Sequence, residues 1–136
     1  MFHLTKILNG RTGVPEPARI SLSSAATVSY GTPVTIRGGT VTVMTAAATA
    51  LPTHLILKDA TASREVLAAP ITDAMIFEVP LSAAPTSMAV GTEYQLSADG
   101  ASLSATAVAS GKRGATLVDK MGAVATGDKV LVAFKN

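Results

Sequence analysis

Apolar residues alternate with polar ones at a period of two along most of the chain, which is the spacing of half-buried β-strands. The segments 19–23, 33–37 and 40–43 show this alternation most clearly. No window carries the sustained i, i+3, i+4, i+7 stripe of an amphipathic helix, and polar residues or prolines interrupt the alanine-rich windows. The pattern therefore predicts an all-β protein.

Two short turns predict β-hairpins. Gly38-Gly39 separates 33–37 from 40–43, and glycine accepts the positive φ that a two-residue hairpin turn requires. Asp99-Gly100 predicts a second hairpin, which joins the segments that precede and follow it. The other predicted strands are 3–8, 54–58, 65–69, 75–81, 92–97, 102–108, 115–119 and 129–135.

Short strands separated by Gly, Pro or Asp at close intervals are typical of a small β-sandwich or β-barrel of antiparallel strands. A faint internal repeat runs through them, because the block 31–59 resembles the block 91–119. Each begins with Gly-Thr and ends with Leu-x-Asp, so that Leu57 matches Leu117. Two similar β units packed together would produce this pattern, and so would chance in a β-rich chain.

The domain organisation follows from length and from one proline-rich bend. We expect residues 1–17 to form an N-terminal strand or arm that ends in the bend Pro15-Glu16-Pro17, and residues 18–136 to form a single β domain. A chain of 136 residues suits one compact core. With 48% hydrophobic but only 4% aromatic residues, that core must be built mainly from Val, Ile, Leu and Ala.

Charge is scarce on this chain. Charged residues make up 15% of the sequence, against about 25% in an average soluble domain. A surface rich in Ser, Thr, Ala and Gly suits a protein that meets neighbours. The net charge of +2 includes no basic run longer than Lys112-Arg113, so no nucleic-acid footprint is predicted.

Targeting signals are equally scarce. No apolar stretch reaches the ~20 residues of a membrane helix, and the N-terminus lacks a secretory pattern. We therefore expect synthesis in the cytoplasm and no membrane partner. The absence of cysteine excludes disulfides and thiolate metal ligands.

Candidate chemistry is thin. The two histidines, His3 and His54, have no His or carboxylate partner at ligand spacing. Most of the acidic residues fall in turns or at strand ends, and Asp99 and Asp128 each directly adjoin a glycine, a context in which Asp favours turns. No Gly-x-Ser-x-Gly elbow occurs. The sequence thus predicts no enzyme, and no catalytic, cofactor-binding or metal site.

Two lysine-containing turns have a second interpretation. Gly111-Lys112-Arg113-Gly114 is expected to be an exposed β-turn, whose charges could also contact an acidic partner surface. Lys120, in Asp119-Lys120-Met121-Gly122, could be the modified lysine of a carrier barrel, but no modification signal surrounds it. Ordinary turn solvation is the favoured interpretation of Lys120.

Three segments of the C-terminal third, GTEYQLSADG (91–100), GATLVDKMG (114–122) and GDKVLVAF (127–134), resemble head decoration, or auxiliary capsid, proteins of tailed bacteriophages. The resemblance lies in phrases and composition rather than in one motif. It implies a structural virion protein that binds the outer capsid surface and stabilises the shell by bridging capsomers. The implied partners are the major capsid protein and copies of the protein itself, as a trimer or other symmetric cluster. The family brings no catalytic residues.

Two other functions stay open. Another virion component, such as a tail, neck or head-fibre base protein, would use the same small β domains. A carbohydrate- or ligand-binding β-sandwich belongs to a different class, and it would need an aromatic-lined groove. The few aromatic residues, among them Tyr30 and Tyr94, are scattered along the sequence.

Overall fold

The computed structural model describes residues 1–7 and 16–136, and its regular structure is entirely β. The eleven strands are β1 (His3–Ile7), β2 (Ala18–Val28), β3 (Pro33–Arg37), β4 (Thr40–Val43), β5 (His54–Ile56), β6 (Ala60–Pro70), β7 (Met75–Pro80), β8 (Glu93–Leu96), β9 (Leu103–Ala107), β10 (Ala115–Asp119) and β11 (Lys129–Ala133). The all-β prediction is confirmed. In the part of the chain that is described, no helix is long and apolar enough to cross a bilayer.

Every predicted strand occurs, but β2 and β6 are longer than predicted. Each has 11 residues, where alternation indicated five. The extra residues of β2 are mostly Ser, Ala and Thr, which carry no alternating pattern. They nevertheless pair with the start of β6 through an irregular register, in which Ala26 lies opposite Ser63 and Val28 opposite Ala60.

The strands form two antiparallel sheets. Sheet A has six strands in the order β1-β7-β11-β10-β8-β9, and sheet B has five in the order β2-β6-β5-β3-β4. Both predicted hairpins are present: β3 pairs with β4 across Gly38-Gly39, and β8 pairs with β9 across the turn that contains Asp99-Gly100.

The order of the strands repeats. Moving five strands along the chain converts β2-β6-β5-β3-β4 into β7-β11-β10-β8-β9, which is sheet A without β1. We call β2 to β6 the first unit and β7 to β11 the second unit. The prediction of two similar β units is thereby confirmed at the level of topology.

Matching turns fix how the two units correspond. The Gly31 N–H donates to Ile56 O at 2.8 Å, and the Gly91 N–H donates to Leu117 O at the same distance. Both glycines have positive φ, +75° and +87°. Gly31 therefore corresponds to Gly91 as predicted, whereas Leu117 corresponds to Ile56 and not to Leu57. Between these two positions the second unit is one residue longer than the first, and the short sequence match did not show this insertion.

The equivalence extends to the first strand of each unit. The pairings of β5 with β6 and of β6 with β2 in the first unit match those of β10 with β11 and of β11 with β7 in the second. When residues are counted through these pairings, Arg19 corresponds to Glu78 and Ser21 to Pro80. One position further along each strand, the pattern continues with two buried leucines, Leu22 and Leu81.

Equivalent serines close the two units. The Ser23 N–H donates to Gly39 O at 3.0 Å, which brings β2 against the turn that precedes β4. At the equivalent place the Ser82 N–H donates to Leu103 O at 2.9 Å, next to β7 and β9. The first unit is thus a nearly closed barrel, and the second unit makes the corresponding contact.

Two clusters of buried apolar residues replace the single core that length predicted, because each curled sheet encloses an interior of its own. The first unit contains Leu22, Val28, Val34, Ile56, Val66 and Ala68. The larger cluster fills the second unit and also includes Met44 and Leu55 from the first. Side chains from the outer side of the first unit therefore complete the core of the second.

The predicted arm is an edge strand in this structure. β1 pairs with β7, and the buried Phe2 packs against Phe77 and Phe134, with ring centroids 6.4 and 5.5 Å away. The Phe2 N–H donates to Gly31 O at 2.9 Å, so the N-terminus joins both units. Position 8 of the predicted first strand and Pro15 of the predicted bend lie outside the described residues.

Candidate functional site

The two histidines lie in different sheets. His3, in β1, packs its ring 5.9 Å from that of Tyr30. His54 begins β5, and its Nδ1 lies 2.8 Å from Thr53 Oγ1; desolvation by burial lowers the pKa of its imidazole. Within the described ranges, no three His, Cys, Asp or Glu side chains come together as metal ligands.

Carboxylates at the turns accept hydrogen bonds from nearby groups. Asp99 accepts from Ser97 Oγ at 2.6 Å and from the Ala101 N–H at 3.0 Å, and these bonds lower the pKa of the Asp99 carboxyl. Asp128 accepts from the Val124 and Ala125 N–H groups, which lowers its pKa likewise. These carboxylates hold the turns that surround them.

Asp119 has the same role in the turn that carries Lys120. Its Oδ1 accepts the Met121 N–H at 2.8 Å, and Met121 has a φ of +52°. Lys120 is half-buried beside this turn. The carboxylate thus orders the lysine turn from within.

One ion pair recurs in both units with its charges exchanged. Arg19 contacts Glu65 at 2.9 Å in the first unit, and Lys129 contacts Glu78 at 3.2 Å in the second. Arg19 corresponds to Glu78, and because Glu65 lies opposite Ser21 and Lys129 opposite Pro80, Glu65 corresponds to Lys129. The two pairs therefore occupy equivalent places on equivalent strands. The geometry of the pair is retained while its polarity is reversed.

The turn at Lys112-Arg113 ties the two units together. The Arg113 N–H donates to Ala48 O at 2.8 Å, and Lys112 Nζ donates to Ala47 O at 3.3 Å. Arg113 Nε contacts Glu93 Oε1 at 3.0 Å, in an ion pair that is about three-quarters buried. The expectation of a simple exposed turn was wrong for Arg113, since its guanidinium binds within the chain.

An apolar cleft of about 230 Å³ lies between the units beside β1. Its wall includes Tyr30, Leu55, Leu57, Ile71, Met75 and Phe77. These residues come from both units and from the loop between them, and sequence alternation alone could not bring them together. The cleft has room for a small apolar group.

Two exposed apolar side chains share one repeat position. Tyr30 precedes Gly31 and Val90 precedes Gly91, and they are 39% and 61% exposed. The repeat was visible in the sequence, but the exposure of these positions was not. Val124, in the loop before β11, is exposed to 77%. These side chains could enter protein contacts without any rearrangement of the core.

The sheet edges are the remaining surface of interest. In the described part of the chain, sheet A ends in β1 and β9, and sheet B ends in β2 and β4. Edge strands present backbone groups that can pair with another chain. A scan against models of known protein families and a search of curated proteins found no match.

Proposed function

We propose that this protein is a structural component of a bacteriophage virion, located at the capsid surface, where it stabilises the shell by bridging neighbouring capsid subunits. The observation that carries the proposal is the duplicated unit. One chain that carries two units of the same strand order can engage two neighbours at once. Binding of the second unit is then intramolecular, so weak individual contacts add up to a strong attachment.

The joint between the units supports a mechanical role, because a bridging protein must resist being pulled apart. Phe2 binds the Gly31 turn of the first unit, and β1 pairs with the second. The turn at Arg113 bonds the second unit to Ala48 in the first. Met44 and Leu55 extend the buried cluster across the junction.

The surface is large enough for this function. A standard protein interface buries about 800 Å² of each partner, and the described residues expose 6921 Å². Two such faces would use roughly a quarter of that surface, which leaves room for contacts between copies. We propose that copies associate as a trimer or other symmetric cluster around a capsid symmetry axis.

Binding to particles tests the proposal. Purified protein is mixed with intact and with expanded capsids of the phage that encodes it, and co-sedimentation is measured against protein concentration. We expect saturable binding at a fixed number of copies per shell, and release of DNA at a higher temperature from the decorated particles. If the protein stays in the supernatant at all concentrations, the proposed function is wrong.

A second virion role is favoured by the number of units. Three copies of a two-unit chain supply six similar units, which would match a six-fold ring in a tail or neck. Labelled antibody on whole virions separates the two roles. Label spread over the head supports decoration, whereas label confined to the tail or neck supports a ring component.

A ligand-binding role is favoured by the apolar cleft beside Tyr30 and Leu57. At about 230 Å³ the cleft is smaller than the roughly 300–1,000 Å³ of common ligand sites, so its ligand would be small. Titration with toluene, followed by NMR, tests this role. Saturable shifts confined to the cleft residues, abolished in Leu57→Glu, would support it.

A further inference from the structure

The first strands of the two units differ in what covers their outer edge. β7 pairs with β11 on one side and with β1 on the other, where His3 lies opposite Glu78. β2 pairs with β6 on the equivalent first side. On its other side, β2 has no paired strand anywhere in 1–7 or 16–136. One unit therefore carries an added strand at a position that no described residue covers in the other unit.

The open edge of β2 is short and well defined. The Ser23 N–H points to that side, because it donates there to Gly39 O. Backbone groups of alternate residues in an antiparallel strand point to the same side, so Ser21 and Arg19 also present theirs. Both residues are exposed. Pro17 lacks an N–H and limits the edge at its start.

The charge at the β2 edge indicates what kind of strand can pair with it. In the second unit, His3 of the added strand faces the acidic Glu78, and in the first unit the equivalent position is Arg19. The Arg19 side chain is 72% exposed, and its partner Glu65 is also half-exposed. Its guanidinium can therefore accommodate a second carboxylate, with which it forms strong charge-assisted bonds.

A second copy of this chain does not supply that carboxylate from its own free edges. The other edge strands in the described residues are β1, β4 and β9, and none of them contains Asp or Glu. We therefore expect the strand that pairs with the β2 edge to come from another protein.

We propose that the β2 edge from Arg19 to Ser21 is a docking site for an extended segment of a partner protein. The segment adds one antiparallel strand and places a carboxylate against Arg19. This inference rests on the proposed function in taking the capsid subunit as that partner, and it identifies the part of this chain that the subunit contacts. Backbone pairing would provide the affinity, and Arg19 the choice of register.

A proline at position 21 is the sharpest test, because it removes the outward N–H without a change of charge. Pro80 occupies the equivalent position of β7, so this fold accommodates proline there. We expect Ser21→Pro to weaken capsid binding at least tenfold in the co-sedimentation assay. The matched control Ser21→Ala retains the N–H and should bind within twofold of the unchanged protein.

Three further measurements keep the outcomes distinct. Arg19→Glu should also weaken capsid binding at least tenfold while leaving thermal unfolding nearly unchanged. It replaces Ser21→Pro as the test if that variant fails to fold. Hydrogen exchange at the Arg19 and Ser21 amides should slow on the particle. Equal mass of wild type and Ser21→Pro in solution excludes a role of this edge in self-association.

Each result decides something. If the unchanged protein binds no particle, both the proposed function and this docking site are wrong. If it binds, and Ser21→Pro and Arg19→Glu bind equally well, the function stands and the β2 edge is not its contact. A mass that falls only in Ser21→Pro would show that a second copy occupies the edge, which contradicts the inference.

Discussion

Phe2 is the second residue of the chain, and yet it is an interior residue that contacts both units. Its side chain is fully buried between Phe77 and Phe134, and its N–H binds Gly31 O. Phe2→Ala should lower the free energy of unfolding by about 3 kcal/mol or more, because it leaves a cavity at the junction of the units. Phe2→Leu should cost about 1.5 kcal/mol or less. Urea unfolding followed by circular dichroism measures both; a negligible loss in Phe2→Ala would mean that the N-terminus is not anchored here.

Two ion pairs provide a matched comparison of burial. Glu93 accepts from Arg113 Nε and from the Gly114 N–H at 2.6 Å, and both ionic side chains are mostly buried. Glu93→Gln should destabilise the fold by about 1–2 kcal/mol, because charge-assisted bonds are lost away from water. Glu65→Gln breaks the exposed pair with Arg19 and should cost under about 1 kcal/mol. Equal losses in urea unfolding would contradict this ranking.

The imidazole of His54 should make stability depend on pH. Burial lowers the pKa of His54 from its ordinary value of 6.5, so the unfolded chain takes up a proton at a higher pH than the folded one does. The stabilisation is complete above pH 6.5 and is lost as the pH falls through the folded pKa. His54→Gln should remove this part of the slope, as measured by urea unfolding at a series of pH values. An unchanged slope below pH 6.5 would assign the dependence to other groups.

Among the elements, the β3–β4 hairpin does more than reverse the chain, because its turn also closes the first unit. Gly38 and Gly39 both have positive φ. A side chain on Gly38 would meet open space, whereas a Cβ on Gly39 would lie 2.8 Å from the Ser23 nitrogen.

Alanine substitution separates these two roles of the hairpin. Gly38→Ala should cost about 1–2 kcal/mol, the cost of a left-handed conformation. Gly39→Ala should cost more, by about 1 kcal/mol or above, since it also pushes β2 away from the hairpin. Thermal unfolding of the two variants measures the difference. If Gly38→Ala is the more destabilised, Ser23 and Gly39 do not close the barrel.

At the scale of the whole molecule, the two units should unfold together. The cluster of the second unit is completed by Met44 and Leu55 from the first, and Phe2 binds both. Neither unit can open fully without exposing part of the shared cluster. We expect the slowest-exchanging amides of β5 and β6 and those of β10 and β11 to report the same free energy of opening by hydrogen exchange. Two distinct free energies would show that the units are independent domains.

Local pattern was sufficient for the elements of this fold. Alternation located all eleven strands, and Gly38-Gly39 and Asp99-Gly100 located two hairpins, because side-chain period and turn chemistry are local properties. The Gly-Thr turns also indicated the repeat. Strand lengths were less accessible, since Ser24 to Thr27 extend β2 without an alternating pattern and are held by pairing with β6.

The exposed strand edges and the contacts between the two units depend on the tertiary structure alone. The sequence determined an all-β chain with a surface poor in charge, and it only suggested the repeat that the strand order of the two sheets then established. It could not show that Phe2 is buried, that Arg113 binds across to the other unit, or that the outer edge of β2 is left without a described partner while that of β7 is covered. Such features depend on which distant segments meet, and contacts between residues far apart in the chain leave no periodic signal in a single sequence.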